Sequence, residues 1–133
     1  MSAKHSPPGK VTDTGIQVRS QFRIGILGFG TVGTGVARII LESRPPLNDK
    51  TGIELTLHKI AVRDPQKRRE VQLDPKLFTA DPFEVVRDPD VDIVVEVIGG
   101  IDPARALILE ALRGGKAVVT ANKALLAAHG QEI

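Results

Sequence analysis

The sequence predicts an α/β domain built on a parallel, doubly wound sheet. Short apolar runs typical of buried strands alternate along the chain with segments of helical periodicity, as parallel strands with crossover helices require. One run, residues 92–98 (DIVVEVI), is almost continuously apolar, as expected of an interior strand covered on both faces. A glycine-rich turn, GFGTVG, directly follows the first run at residues 22–27. Because crossovers between parallel strands are right-handed, few other topologies fit these observations.

The composition is that of an ordinary globular domain. The 133 residues suffice for one domain, and 41% of them are hydrophobic and 26% charged. The net charge of +2 does not indicate attraction to nucleic acid or membranes. The absence of cysteine excludes disulfides and thiolate chemistry. No apolar run approaches the roughly 18 residues of a membrane helix, and the N-terminus lacks the apolar core of a signal peptide. We therefore expect a cytoplasmic protein.

The first strand, at residues 22–27, begins the domain, which we expect to cover residues 22–133. Residues 1–21 are polar and contain glycine and proline, so we expect a mobile tail; their basic residues would also suit a transit peptide, although no clear amphipathic face is present. A helix is predicted after the glycine turn. Its expected inner face consists of Val32, Val36, Ile39 and Ile40. Pro45 and Pro46 should end this helix near residue 43 because proline disfavours helical geometry before it and donates no backbone hydrogen bond.

The second strand is predicted at residues 54–62 (ELTLHKIAV), where Leu, Ile and Val are interleaved with polar residues. A polar loop at residues 47–52 should precede it, and Pro65 should end it in a turn. Residues 66–71 are polar and could form a short helix. Residues 77–79 predict a brief third strand.

Asp81 and Pro82 predict the start of a short helix, because aspartate is a favoured N-cap and proline a favoured first helical residue. The fourth strand, residues 92–98, is interrupted by Glu96. A buried carboxylate needs partners, so this side chain must either lie at a functional edge or be held by hydrogen bonds.

Asp102 and Pro103 predict the start of another helix, which a Gly-Gly pair ends. The expected inner face of that helix consists of Ala104, Leu107, Ile108, Ala111 and Leu112. A fifth strand is predicted at residues 117–120 (AVVT), and a last helix from Asn122 to about residue 128.

The glycine turn has the spacing G-x-G-x-x-G between a strand and a helix, which predicts dinucleotide binding. Gly28 permits the tight turn, Gly30 lets a pyrophosphate approach the backbone, and Gly33 brings the helix close to the strand. The N-terminus of the helix adds free N–H groups and the positive end of its dipole. Without the flanking strand and helix, the glycines alone would indicate only an ordinary turn.

Ligands of a doubly wound sheet bind where the strands end, and four segments of this chain lie there. They are residues 28–33, 63–64, 98–100 and 120–123. Arg63 occupies the position at the end of the second strand where an NAD site usually has an acid, and Lys67 follows, so the two cations favour NADP with its 2′-phosphate. Solvated surface charges are the alternative, and Asp64 could neutralise Arg63 or bond a ribose hydroxyl, which leaves NAD possible.

Four motifs in this order, GFGTVGTGV, AVRD, DIVVEVIGG and VVTANKALLA, closely resemble the amino-terminal, Rossmann-type NAD(P)-binding domain of homoserine dehydrogenase over residues 22–133. The resemblance implies reversible reduction of aspartate 4-semialdehyde to homoserine with NADPH or NADH, a reaction that leads to threonine, isoleucine and methionine. It also implies a homodimer and a second, substrate-binding domain, which has no counterpart in this chain. We therefore expect a fragment that binds cofactor without being active.

The motifs and the resemblance together imply roles for individual residues. The glycine turn should hold the pyrophosphate, Arg63 should lie beside the adenosine ribose, and Gly99 and Gly100 should lie near the nicotinamide-side ribose. Lys123 should face the junction of nicotinamide and substrate as the catalytic residue, although a lysine at the start of a helix is often exposed without a role. The implied cofactor-binding residues are Gly28, Phe29, Gly30, Thr31, Val32, Gly33, Arg63, Lys67, Gly99, Gly100, Thr120, Asn122 and Lys123.

Two other functions remain open on the sequence alone. The chain could be a non-catalytic nucleotide-binding module of a regulatory protein, or the cofactor domain of another two-domain dehydrogenase, such as an aspartate dehydrogenase. The TANKALLA segment favours homoserine dehydrogenase. The remaining acids and bases show neither metal-ligand spacing nor a nucleophile–base pair, so the sequence predicts no metal site.

Overall fold

The computed structural model describes residues 10–11, 17–18, 21–51, 54–67, 69, 71–129 and 131. Near the N-terminus, two-residue strands β1 (Lys10–Val11) and β2 (Gln17–Val18) pair antiparallel. The sequence does not predict these strands. The rest of the expected mobile tail lies outside the described residues, except Gln21, which already belongs to the main sheet.

The main sheet has five strands, all paired in parallel, as the sequence predicts. They are β3 (Gln21–Leu27), β4 (Glu54–Ala61), β5 (Phe78–Thr79), β6 (Ile93–Glu96) and β7 (Ala117–Thr120). Their spatial order is β5-β4-β3-β6-β7. The chain therefore proceeds outward from β3 through β4 to β5 and then crosses to β6, on the other side of β3. The position between β3 and β6 is thus the switch point, where ligands of such sheets bind.

Helices cover both faces of this sheet. They are α1 (Thr31–Thr51), α2 (Pro82–Arg87), α3 (Ala104–Arg113) and α4 (Lys123–His129), with a short 3₁₀ turn at Pro75–Leu77. Helix α1 packs on one face through a core that includes Ile26, Ile40 and Ile60. Helices α2 and α3 pack on the other face, where Val85 and Leu107 are fully buried. No helix among the described residues is long and apolar enough to cross a membrane.

The predicted end of α1 is wrong. The helix continues through Pro45 and Pro46 to Thr51 and replaces the loop expected at residues 47–52. Proline removes a backbone donor and crowds the preceding turn, but its fixed φ is itself a helical value. Two consecutive prolines therefore weaken the hydrogen bonding of a helix without forcing the chain out of the helical path.

The inner face of α1 agrees with the prediction at Val36 and Ile40, which pack in the core, and differs from it elsewhere. Val32 and Ile39 are 57% and 63% exposed, whereas Ala37 and Ile40 are buried together with Gly33. The face that packs on the sheet is thus marked by small residues, because the helix lies close to the strands and leaves little room for larger ones. On α3, the predicted inner residues are buried except Leu112, which is 37% exposed.

The helix starts are partly as predicted. A carboxylate oxygen of Asp81 accepts a hydrogen bond of 2.9 Å from the first turn of α2, so this residue is the N-cap. The corresponding prediction for Asp102 is wrong, because Pro103 occupies the N-cap position of α3 and no side chain caps it. Residues 64–67, where the predicted short helix would begin, form a turn. The side chain of Asn122 caps α4 by accepting from Leu125 N–H at 3.0 Å.

Candidate functional site

A cavity of about 590 Å³ opens at the edge of the sheet where the strands end. Residues at the ends of β3, β4 and β6 line it, so the cavity lies at the switch point. The lining residues are Gly28, Phe29, Gly30, Ala61, Val62, Arg63, Asp64, Lys67, Arg69, Ala80, Pro82, Val97, Ile98 and Pro103. The structure thus brings together five predicted site residues that are distant in sequence: three from the glycine turn and two from the segment after β4.

The three glycines of the turn have different surroundings. Gly28 has a φ of +96°, which few other residues adopt, and its N–H donates to Ala61 O at 2.9 Å. A Cβ on Gly33 would lie 2.5 Å from Gly28 O, so only glycine lets α1 pack this close to the turn. A Cβ on Gly30 would meet nothing within 4 Å. Gly28 and Gly33 are therefore required by the backbone geometry of the turn and by the packing of α1, whereas Gly30 leaves open space on the cavity wall.

The start of α1 adjoins this open space. Gly30 O accepts the first helical hydrogen bond, from Thr34 N–H at 2.9 Å. The N–H groups of the first helical turn, which include those of Thr31 and Val32, have no partner inside a helix. Both residues are exposed and neither lines the cavity with its side chain. A dinucleotide pyrophosphate fits here, because the helix offers donors and the missing Cβ of Gly30 leaves room for it.

The segment after β4 gives the cavity a cationic end. Arg63 and Lys67 are both exposed, and among the described residues no carboxylate pairs with either of them. One carboxylate oxygen of Asp64 accepts a hydrogen bond of 3.0 Å from Gln66 N–H within the turn, and no ion pair joins Asp64 to Arg63 among the described residues. A third cation on this wall, Arg69, is not among the predicted site residues, although the basic residues that follow the end of the strand were a signal for it.

Glu96 connects the ends of β6 and β7. Its side chain is completely buried, and one carboxylate oxygen accepts from Ile98 N–H at 2.9 Å and from Gly99 N–H at 3.2 Å. The other oxygen accepts from the hydroxyl of Thr120. Hydrogen bonds therefore satisfy this carboxylate, one of the two possibilities that the sequence left open.

The remaining predicted site residues lie around this connection and outside the 590 Å³ cavity. Gly99 and Gly100 have φ values of +84° and +77°, and the side-chain amide of Asn122 donates to Gly100 O. Lys123 follows as the first residue of α4 and is exposed. The predicted residues thus form two groups, one that lines the cavity and one around Glu96. Ile98 connects the two groups, because it lines the cavity and donates its N–H to Glu96.

His58, Asp88 and Asp90 form a cluster that the sequence did not predict, away from the cavity-lining residues. The ammonium of Lys59 lies 3.0 Å from the Asp88 oxygen that also contacts His58, so a cation of the protein already occupies the place a metal ion would take. Burial opposes ionisation of Asp88, but hydrogen bonds from Asp90 N–H and Lys59, together with the charges of His58 and Lys59, hold its pKa below the ordinary value of 3.8. We interpret this cluster as a structural ion pair.

A parallel sheet with a glycine turn and a helix N-terminus at its switch point defines a dinucleotide-binding α/β domain of the Rossmann type. The family model described as "Homoserine dehydrogenase, NAD binding domain" matches residues 28–133. The chain belongs to this family, and its cofactor is therefore a nicotinamide dinucleotide.

Similar proteins agree with this assignment. The chain is 45% identical to homoserine dehydrogenase of Bacillus subtilis over 111 residues, which are 84% of this chain and 26% of that protein. It is 52% identical to that of Corynebacterium glutamicum over 110 residues, 83% of this chain and 24% of the relative. The crystal structure of S. aureus homoserine dehydrogenase at pH 8.5 matches with a TM-score of 0.79 and 40% identity, covering 85% of this chain and 28% of that one. The chain thus spans about a quarter of the length of these relatives.

Proposed function

We propose that this chain is the cofactor-binding part of a homoserine dehydrogenase and that it holds NADP(H) for the interconversion of aspartate 4-semialdehyde and homoserine. One observation carries the proposal: the family match coincides with an open cavity at the glycine turn, one end of which is cationic. The proposal includes a cytoplasmic location, homodimerisation of the full-length protein, and no nucleic acid or membrane partner.

The pyrophosphate is assigned to the glycine turn. The open space at Gly30 lets the phosphates approach the backbone, and the first-turn N–H groups of α1, including those of Thr31 and Val32, can donate to them. Phe29 lies between the two glycines of the cavity wall and positions this backbone.

The adenosine ribose is assigned to the segment after β4. A 2′-phosphate is favoured over a 2′-hydroxyl because Arg63 and Lys67 are cations without a paired carboxylate among the described residues. One carboxylate oxygen of Asp64 accepts from Gln66 N–H, which leaves the other oxygen available to a ribose hydroxyl. We therefore expect a preference for NADP, although NAD can occupy the same turn.

Titration calorimetry with NADP⁺ and NAD⁺ tests this preference on the wild type and on Arg63→Ala. A charge-assisted hydrogen bond contributes about 1.5–3 kcal/mol, so the variant should bind NADP⁺ at least about tenfold more weakly. Its affinity for NAD⁺ should change little. Equal wild-type affinities for the two cofactors, unaltered by the substitution, would exclude the assignment of Arg63 to a 2′-phosphate.

The nicotinamide end is assigned to the group around Glu96, with Gly99 and Gly100 near the ribose and Thr120 and Asn122 beside them. When bound, the dinucleotide supplies or accepts the hydride. The ammonium of Lys123, exposed at the start of α4, is then available at the junction of cofactor and substrate as a polar contact for the reacting group.

Turnover should require more than this chain. Hydride transfer needs the nicotinamide, the substrate carbon and a proton-transferring group held together in reactive geometry. The chain corresponds to about a quarter of its relatives, so we expect it to bind NADP⁺ without oxidising homoserine. The assay follows NADPH absorbance with homoserine as substrate, with the Bacillus subtilis relative as positive control. Substantial turnover by the 133-residue chain would refute this part of the proposal.

A further inference from the structure

Arg69 holds the segment after β4 by three contacts. Its Nη2 donates to Asp64 O at 2.7 Å and its Nη1 donates to Lys67 O at 2.6 Å. Its guanidinium lies over the ring of Phe78, with the central carbon 4.9 Å from the ring centroid. One half-buried side chain thus joins both ends of the turn at residues 64–67 to strand β5.

Among the described residues, the turn itself has two local hydrogen bonds. Lys67 N–H donates to Asp64 O at 3.2 Å, and Gln66 N–H donates to the Asp64 carboxylate at 3.0 Å. Both bonds are exposed to water, as are the two bonds from Arg69. The two charge-assisted bonds from Arg69 are shorter, and bonds of this kind are roughly twice as strong as neutral ones. Arg69 therefore restrains the backbone from which Lys67 projects, and it restrains Arg63 through the adjoining Asp64.

The same contacts extend to the glycine turn. The ring of Phe78 meets the ring of Phe29 edge to face, with 5.6 Å between centroids and an interplanar angle of 75°. Phe29 lies between Gly28 and Gly30 on the cavity wall. Arg69 consequently ties the segment after β4 to the turn that receives the pyrophosphate.

We propose that Arg69 is a positioning residue that determines cofactor specificity: its planar fork holds the segment after β4 so that Arg63 and Lys67 meet the 2′-phosphate of NADP. This inference rests on the proposed assignment of the 2′-phosphate to those two cations. Arg69 acts on the backbone of this segment, because Nη1 and Nη2 each donate one hydrogen bond to a carbonyl oxygen of the turn.

Charge and geometry can be separated at this position. Arg69→Lys keeps the positive charge, but a single ammonium on a flexible stem cannot reproduce the planar fork or its stacking on Phe78. Arg69→Ala removes both. Lys76→Ala is the control for charge alone, because Lys76 is exposed and does not line the cavity.

The experiment measures Kd values of NADP⁺ and NAD⁺ for the wild type and the three variants, with thermal unfolding as a check on folding. The wild type should prefer NADP⁺ by about tenfold or more, as one charge-assisted contact would give. Both Arg69 variants should lose most of this preference while their affinity for NAD⁺ stays within about twofold, and Lys76→Ala should keep the preference.

Three results would overturn the inference. If Arg69→Lys retains the wild-type preference, Arg69 acts by its charge. If both affinities fall equally in the Arg69 variants, the residue supports the fold without selecting the cofactor. If the wild type shows no preference, the assignment of the 2′-phosphate fails and the inference about Arg69 fails with it; the first two results leave that assignment intact.

Discussion

Alanine at three nearby glycines should separate cofactor binding from folding. An added Cβ meets nothing within 4 Å at Gly30 or at Gly35, but at Gly33 it lies 2.5 Å from Gly28 O. Gly30 adjoins the cavity, whereas Gly35 lies inside α1 and does not line it. The same substitution should therefore block the cofactor at Gly30, destabilise the domain at Gly33 and do neither at Gly35.

The magnitudes follow from these surroundings. The contact at Gly33 is with backbone, so α1 must move away from the turn. Such overpacking costs about 1–3 kcal/mol, or roughly 4–12 °C in Tm for a domain of this size. Gly35→Ala replaces glycine inside a helix and should stabilise the domain by about 0.5–1 kcal/mol. Gly30 precedes the first helical residue, where alanine should cost less than about 1 kcal/mol relative to glycine.

Thermal unfolding by circular dichroism and calorimetric titration with NADP⁺ measure the two effects on the same proteins. Gly30→Ala should stay folded and lose about tenfold or more in affinity, because its Cβ fills the space where the pyrophosphate approaches the backbone. Gly35→Ala should bind as the wild type does. A folded Gly30→Ala protein with wild-type affinity would mean that the pyrophosphate lies elsewhere. An unchanged Tm for Gly33→Ala would refute the close packing of α1 on the turn.

Three further substitutions test individual contacts. Asp88→Asn should lower the free energy of unfolding at pH 7 by about 1.5–3 kcal/mol through the weakened contacts with Lys59 and His58. Because the pKa of Asp88 is lowered in the folded protein, the stability difference between wild type and variant should be complete well above pH 3.8. It should disappear as the pH falls below 3.8 and through the folded-state pKa. Glu96→Gln should leave a buried donor unsatisfied and lower the stability by about 1–3 kcal/mol. It should also weaken the binding of NADP⁺ more than the binding of 2′,5′-ADP, which lacks the nicotinamide half. Asp81→Ala should lower the stability by about 0.5–2 kcal/mol through loss of the N-cap of α2.

Each of these expectations has a contrary result. A stability difference for Asp88→Asn that persists unchanged at pH 3 would show that its charge contributes nothing. Equal losses of NADP⁺ and 2′,5′-ADP affinity in Glu96→Gln would mean that Glu96 supports the whole fold rather than the nicotinamide end. Unchanged unfolding of Asp81→Ala would show that the cap is not required.

The fold was predictable because its signals are local. Alternating apolar runs located all five strands of the main sheet to within two residues at each end, and the glycine turn located their ligand-binding edge. The inner face of α1 was harder to predict from the sequence. Its packing depends on Gly33 and Ala37, small residues that carry little hydrophobic signal, so the larger Val32 and Ile39 were predicted inside although they are exposed.

The supports of the site could not be predicted for a different reason. Arg69 and Glu96 act mainly on backbone atoms of other segments, and a side chain that donates to carbonyls or accepts from N–H groups needs no particular residue as its partner. No motif records such a contact. The sequence showed basic residues after β4 and a carboxylate inside β6, but only the folded chain shows what each one holds.

These two supports act at opposite ends of the site. Arg69 restrains the cationic segment after β4, and Glu96 restrains the segments that follow β6 and β7. The glycine turn lies between them and is itself held by backbone contacts around Gly28. A dinucleotide has a corresponding division into an adenosine half, a pyrophosphate and a nicotinamide half. Among the described residues these supports share no hydrogen-bond partner, so we expect a substitution at Arg69 to change the proposed selectivity for the 2′-phosphate without disturbing the proposed nicotinamide end around Glu96 and Lys123.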